Sequence, residues 1–234
     1  MKKKKYKLLE RPLDKKMLEI VKRLIRKELG KKVISGIKII GPKARRKGKI
    51  KTKVKTYKII IKDRAPLRMD IDFPLKTTRL QRIANKSGLE IPKVIFVEGK
   101  YKFSEWIDGV MIKEVWNKKE VFEKLGDLVG RLNITRDPVS KQFLENVDLS
   151  KFNVIWTKDR RIYIIDHDWL IVSLNPDLSV VKILLKRIRE KERIEVFLKS
   201  YSKHRNIDNI MGLIEKRNWE IHPTRPLLNE PKLI

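Results

Sequence analysis

The chain has 234 residues and a mass of 27.8 kDa, enough to bury a core as one large folding unit or two small ones. No cysteine and only three histidines are present, which excludes a disulfide framework and any thiolate metal site and makes a zinc centre a poor fit. Charges interrupt every apolar run, so neither a signal peptide nor a membrane span is expected, and the composition predicts a cytoplasmic protein that is at most peripheral to a membrane.

The net charge of +29 is far above the magnitude of ~2–8 that keeps a small domain soluble. Residues 1–62 hold 25 Lys and Arg against four acids, Glu10, Asp14, Glu19 and Glu28, and residues 31–62 hold no acid. Such a field attracts polyanions: nucleic acid, an anionic membrane surface, or a phosphorylated substrate. A well-solvated lysine-rich face is the plain alternative.

Asp14 can cap a helix in which Met17, Ile20, Val21, Leu24 and Ile25 recur at helical spacing, with Gly30 as its stop. Its apolar face suits either packing on its own domain or an anionic membrane. Residues 33–62 read as β structure: an apolar run, a loop punctuated by Gly41, Pro42 and Gly48, then alternation of lysine with Ile50, Thr52 and Val54, for a sheet of about three strands. Leu80 to Leu89 has the spacing of the first helix and turn of a DNA-reading unit, but Pro92 and the strand-like run from Val94 to Val97 leave no room for a recognition helix. A turn at Gly99 and a second strand follow. Residues 118–133, 178–201 and 207–217 are predicted helical, so the chain is β-rich first and α-rich second, changing between Ser104 and Gly109.

The stretch NVDLSKFNVIWTKDRRIYIID carries the chemistry. Asp148 and Asn153 are five positions apart and precede the apolar run Val154, Ile155, Trp156. A turn at Lys158, Asp159 and Arg160 sends the chain back through Ile162 to Ile165, which returns Asp166 beside Asn153. A carboxylate and an amide oxygen so joined can share a hard cation such as Mg²⁺, which takes oxygen ligands and keeps phosphate oxygens in its shell. Asp148 is placed to accept a hydroxyl proton.

That pattern resembles the protein-kinase-like superfamily, in its aminoglycoside phosphotransferase and choline kinase branch, where D-x-x-x-x-N is followed by a hairpin and I-D. IPKVIFVEG, FSEWIDGV, LGDLVGRLN, PDLSVVKILL and VFLKSY match further segments in the same order. The resemblance implies an α+β, bilobal protein-kinase-like fold with a small antiparallel-sheet N-lobe and a mainly helical C-lobe. It divides the chain into a basic extension and amphipathic helix (1–30), an N-lobe (31–104) and a C-lobe (105–234). It implies ATP and Mg²⁺ as cofactors, Asp148 as catalytic base, Asn153 and Asp166 as metal ligands, Lys62 (with Lys58 as alternative) on the phosphates, and Glu105, Trp106 and Ile107 at the adenine. Asp177 is expected to be a structural anchor, and Asp168 either assists the metal or faces water.

The sequence departs from that pattern at three places. Asn146 stands where the family has His, LKTTRLQRIANKSG contains no acid to pair with the phosphate-binding Lys, and the phosphate-covering loop is the basic GPKARRKG. Asp70 and Asp72 are the nearest acids. The expected function is transfer of the γ-phosphate of ATP to a hydroxyl of a small-molecule, sugar or glycolipid acceptor, with an anionic acceptor suiting the charge. A nucleotide-binding pseudokinase is the alternative, and a nucleic-acid-binding protein acting through the basic N-terminal part is the third.

Overall fold

The computed structural model describes residues 15–29, 38–40, 55–61, 64–71, 73, 75–166 and 169–216. The expectations placed on Asp14, Gly30, the loop at 41–48, the alternation at 49–54, Lys62, Asp72 and Asp168 lie outside them. The chain divides into two units, one of residues 1–78 and 92–106, the other of residues 79–91 and 107–234.

The first unit is an antiparallel sheet of five strands: β1 (Lys38–Ile40), β2 (Lys55–Ile60), β3 (Leu67–Ile71), β4 (Val94–Glu98) and β5 (Tyr101–Glu105), in the order β1-β2-β3-β5-β4. Strands β4 and β5 stand where two strands were expected on either side of Gly99; β3 is a strand not expected from the sequence, and its Leu67, Met69 and Ile71 alternate inward while Arg68 and Asp70 face the other way. Tyr57, Ile59, Leu67, Met69, Ile71, Tyr101 and Phe103 share a core with Val21, Leu24 and Ile25 of helix α1 (Lys15–Leu29). The apolar face that could have entered a membrane is thus occupied by the sheet. Phe96 stacks on Phe103 with ring centroids 4.2 Å apart, and Gly99 makes the β4–β5 turn with φ of 54°.

Helix α2 (Leu75–Lys86) follows β3, and its Leu80 and Ala84 pack with the apolar cluster of the second unit. In that unit β6 (Val110–Met111) leads through a 3₁₀ turn, Ile112–Val115, to α3 (Lys119–Ile134). Two small sheets follow from β7 (Phe143–Asn146), β8 (Val154–Trp156), β9 (Ile162–Ile164) and β10 (Leu170–Ser173), with pairings β7–β10 and β6–β8–β9. Helix α4 (Asp177–Ile183) runs into a π-helical turn, Leu184–Ile188, closed by Arg189 N–H on the Leu184 carbonyl at 2.8 Å, with Arg189 at φ of 66°. Helices α5 (Lys191–Tyr201) and α6 (Asp208–Lys216) complete it.

Helix α3 lies so close to α5 that a Cβ on Gly126 would sit 2.2 Å from the Phe197 carbonyl oxygen, which only glycine avoids. Asp177, 2% exposed, accepts from Tyr201 Oη and Arg205 Nε, each at 3.2 Å. Burial pushes the Tyr201 phenol up to about 12. Asp177 therefore ties α4 to the end of α5.

Candidate active site

The hairpin β8–β9 turns at residues 158–160, with Arg160 in the left-handed region at φ of 59°, and pairs Val154 with Ile164 and Trp156 with Ile162. One step beyond the ladder, Ile165 N–H donates to the Asn153 carbonyl at 2.9 Å. The hairpin therefore brings Asp166 back beside Asn153 by backbone pairing alone.

The loop before β8 is fastened by its own side chains. Asn153, 2% exposed, donates from Nδ2 to the Asp148 carbonyl at 2.8 Å and to Asp148 Oδ2 at 3.2 Å, and its N–H donates to the Ser150 carbonyl at 2.9 Å. With its NH₂ committed to the loop, the amide's Oδ1 is the atom of the type a hard cation requires.

Asn146, at the end of β7, supplies a connection that reading it as a departure did not foresee. Its Oδ1 accepts Asp148 N–H at 3.0 Å and its Nδ2 donates to the Asp166 carbonyl at 3.1 Å. One carboxamide offers a donor and an acceptor, so it can hold two backbone segments at once. Asp148 and Asp166 are thereby tied to one buried side chain, and Asn153 is tied in turn to Asp148.

Asp148 faces a cation that the sequence pattern did not single out. Arg187 of the π-helical turn places Nη2 3.2 Å from Asp148 Oδ1, with the two side chains 50% and 36% exposed. Lys113 and Lys151 both lie over the Phe152 ring, at 5.2 and 5.7 Å from its centroid, so the loop carrying Asp148 is flanked by positive charge. A link across 39 positions leaves no trace in local spacing.

Asn153 and Asp166 are oxygen donors and fit Mg²⁺ by ligand chemistry. Among the described residues no group of three or more His, Cys, Asp or Glu converges.

At the segment expected to meet adenine, Glu105 N–H donates to the Lys93 carbonyl at 3.0 Å and Trp106 N–H to the Pro66 carbonyl at 3.3 Å. Both donors are spent on the protein itself. Lys58 lies on β2 with Nζ 4.6 Å from the centre of the Trp106 ring. Lys62 follows β2 in the chain, and all of β3 intervenes before helix α2.

No family model matches the chain, and no curated protein matches it in sequence. Solved structures match it in fold. A spectinomycin phosphotransferase in complex with ADP and spectinomycin superposes with a TM-score of 0.63 at 13% identity, covering 86% of this chain and 83% of that one. A Plasmodium vivax ethanolamine kinase gives 0.63 at 11%, covering 87% and 78%, and a Cryptosporidium parvum choline kinase gives 0.57 at 13%, covering 85% and 84%. The chain shares the kinase-like α+β fold of these phosphotransferase and kinase structures.

Proposed function

We propose that the protein is a phosphotransferase that moves the γ-phosphoryl group of ATP to a hydroxyl of a non-protein acceptor. The observation that carries this reading is the Asn146 side chain, which binds the Asp148 N–H and the Asp166 carbonyl together while Ile165 N–H closes on Asn153. Caps and turns acting separately would not need the three polar residues to share one knot.

In this reading Asp148 accepts the proton of the acceptor hydroxyl as its oxygen bonds to the γ-phosphorus, and the bond from that phosphorus to the bridging oxygen breaks to release ADP. Asn153 and Asp166 would hold Mg²⁺, which, when bound, neutralises charge on the phosphate oxygens. Asn146 sets the loop and the strand end in register, so that base and metal ligands are placed before substrate arrives. Glu105, Trp106 and Ile107 remain the proposed adenine segment, with Ile107 the one of the three whose N–H is not spent on the contacts above. The positive charge beside Asp148 favours an acceptor that carries an anionic group.

A nucleotide-binding pseudokinase is the second reading, favoured by the absence of any acid in LKTTRLQRIANK of α2. The two separate in one experiment: thermal shifts with ATP, GTP and ADP, with and without Mg²⁺, beside ADP release by wild type and Asp166→Ala. The enzyme reading expects a Mg²⁺-dependent shift and ADP release, with the variant slower by several powers of ten, on the order of 4 kcal/mol of barrier. Release persisting undiminished in Asp166→Ala, or absent from wild type despite nucleotide binding, counts against it.

A further inference from the structure

Residues 178–189 carry four cations, Lys182, Lys186, Arg187 and Arg189, and no acid, and all four side chains are exposed. They lie where α4 runs into the π-helical turn. Such a turn interrupts the regular helical ladder and recurs at functional sites. Arg189, which closes it, stands at φ of 66° without being glycine, a conformation that costs backbone energy and persists where its surroundings require it. The side chain this turn brings to Asp148 is Arg187.

Arg187 is held differently from the other paired arginines of this unit. Arg131 divides its fork between Glu90 and Asp127, Arg160 gives Nε and Nη2 to Glu120, and Arg79 gives both Nη groups to Asp137. Arg187 engages one oxygen, Asp148 Oδ1, through one nitrogen, Nη2, at 3.2 Å. Among the described residues nothing else engages its side chain, which is 50% exposed. Most of a planar fork suited to carboxylate or phosphate is therefore open beside the group proposed to take the acceptor's proton. The surrounding field has one sign. Asp148 is the one acid between residues 146 and 158, and Lys113 N–H donates to the Lys151 carbonyl at 3.3 Å, which joins the two lysine-bearing segments that flank this loop.

We infer, on the phosphotransferase reading above, that Arg187 binds an anionic group of the acceptor and that this group sits on the carbon next to the reacting hydroxyl or one carbon further along. An anion oxygen that accepts from Nη2 at ~2.8 Å lies within roughly 6 Å of Asp148 Oδ1, and a hydroxyl donating to Asp148 lies ~2.7 Å from that carboxylate. A small molecule meets both conditions without folding back on itself only if hydroxyl and anion are near neighbours on its carbon skeleton. Hydroxy acids and polyol phosphates have that form. Arg187 is thus a specificity residue for the acceptor, and it reads the place of the charge as well as its sign.

The test is steady-state ADP release by the full chain with Mg²⁺ and ATP and, in separate arms, glycerol, glycerol 3-phosphate, glycerate or 6-hydroxyhexanoate, for wild type, Arg187→Ala, Arg187→Gln and Arg187→Lys, each checked for folding by circular dichroism. Wild type should use glycerol 3-phosphate or glycerate with kcat/KM at least about tenfold above glycerol and 6-hydroxyhexanoate, the scale of one charge-assisted hydrogen bond, and the better of the two identifies the anion as phosphate or carboxylate. Arg187→Ala and Arg187→Gln should erase that preference through KM for the favoured probe, beyond any slowing that all probes share. Arg187→Lys should keep part of it. A role confined to holding Asp148 would lower turnover alike for every probe. Such a uniform loss, a preference that survives in Arg187→Ala, or a wild type that uses 6-hydroxyhexanoate or glycerol as well as the other two, would overturn the inference and leave the phosphotransferase reading standing. A wild type that releases no ADP, with or without any probe, would overturn both.

Discussion

Nη2 of Arg187 stands 3.2 Å from Oδ1 of Asp148, joining a helical turn to the loop that carries the proposed base. Both side chains are well exposed, so the pair adds little to stability, ~0.2–1 kcal/mol at most for pairs of this kind. Its effect should fall on turnover. Arg187→Ala is expected to slow Mg²⁺-ATP-dependent ADP release about tenfold, the scale of one lost charge-assisted hydrogen bond, with the melting temperature almost unmoved. Arg187→Lys should restore part of the rate. Loss of activity only in step with loss of folded protein would assign Arg187 to folding alone.

Asn146 makes the opposite prediction, because it is 3% exposed and binds two backbone groups. Asn146→Ala should cost about 2 kcal/mol in urea unfolding, from the polar groups left unpaired. It should also weaken the Mg²⁺ dependence of nucleotide binding by ~10–100-fold, as loss of a residue behind a metal ligand does. Asn146→Asp keeps the acceptor for Asp148 N–H but turns a carboxylate on the Asp166 carbonyl, and should fail on metal more than on stability.

Acid should unlock the Arg79–Asp137 pair. Asp137 is 1% exposed, and both Arg79 Nη groups donate to it, one of them at 3.0 Å. The Arg79 guanidinium holds its carboxyl far below the usual carboxylate range, against the opposing effect of burial and with help from Ser140 Oγ and the N–H groups of Ser140 and Val139. A depressed folded value means that the contribution is present above the unfolded value of about 4 and is lost as pH falls through the folded one. Asp137→Asn should therefore lower the urea midpoint more at pH 7 than at pH 3. A difference independent of pH would sink this assignment.

Glu145 runs the other way. It is 6% exposed, and burial pushes its carboxyl up, offset only in part by Ser179 and Lys182, while Oε2 has no hydrogen-bond partner among the described residues. A raised folded value gives stability that is fully present below the unfolded value of about 4.3 and is lost as pH rises through the folded one. Glu145→Gln removes the buried charge and should raise the melting temperature by a few degrees at pH 7, roughly 1 kcal/mol. The gain should vanish near pH 4.

Much of this was legible in the chain because it is local. The hairpin around residues 158–160 follows from two apolar runs and a polar turn, and the helices at Lys119–Ile134 and Asp208–Lys216 from apolar spacing. Strand β3 was not expected from the sequence: Leu67, Met69 and Ile71 alternate over only five residues, too short a run to stand out beside the charges around it. The π-helical turn that presents Arg187 has no signature in LLKRI.

By itself the sequence determined the order of elements, the excess of positive charge, and the spacing that returns Asp166 to Asn153, since each depends on neighbours in the chain. Tertiary structure alone decided that Asn146 bridges Asp148 and Asp166, that Arg187 faces Asp148, and that Asp70 binds Arg68 and Lys102. Those pairings are selected by which buried donors and acceptors must be satisfied once strands and helices pack, and that condition exists only in the folded chain.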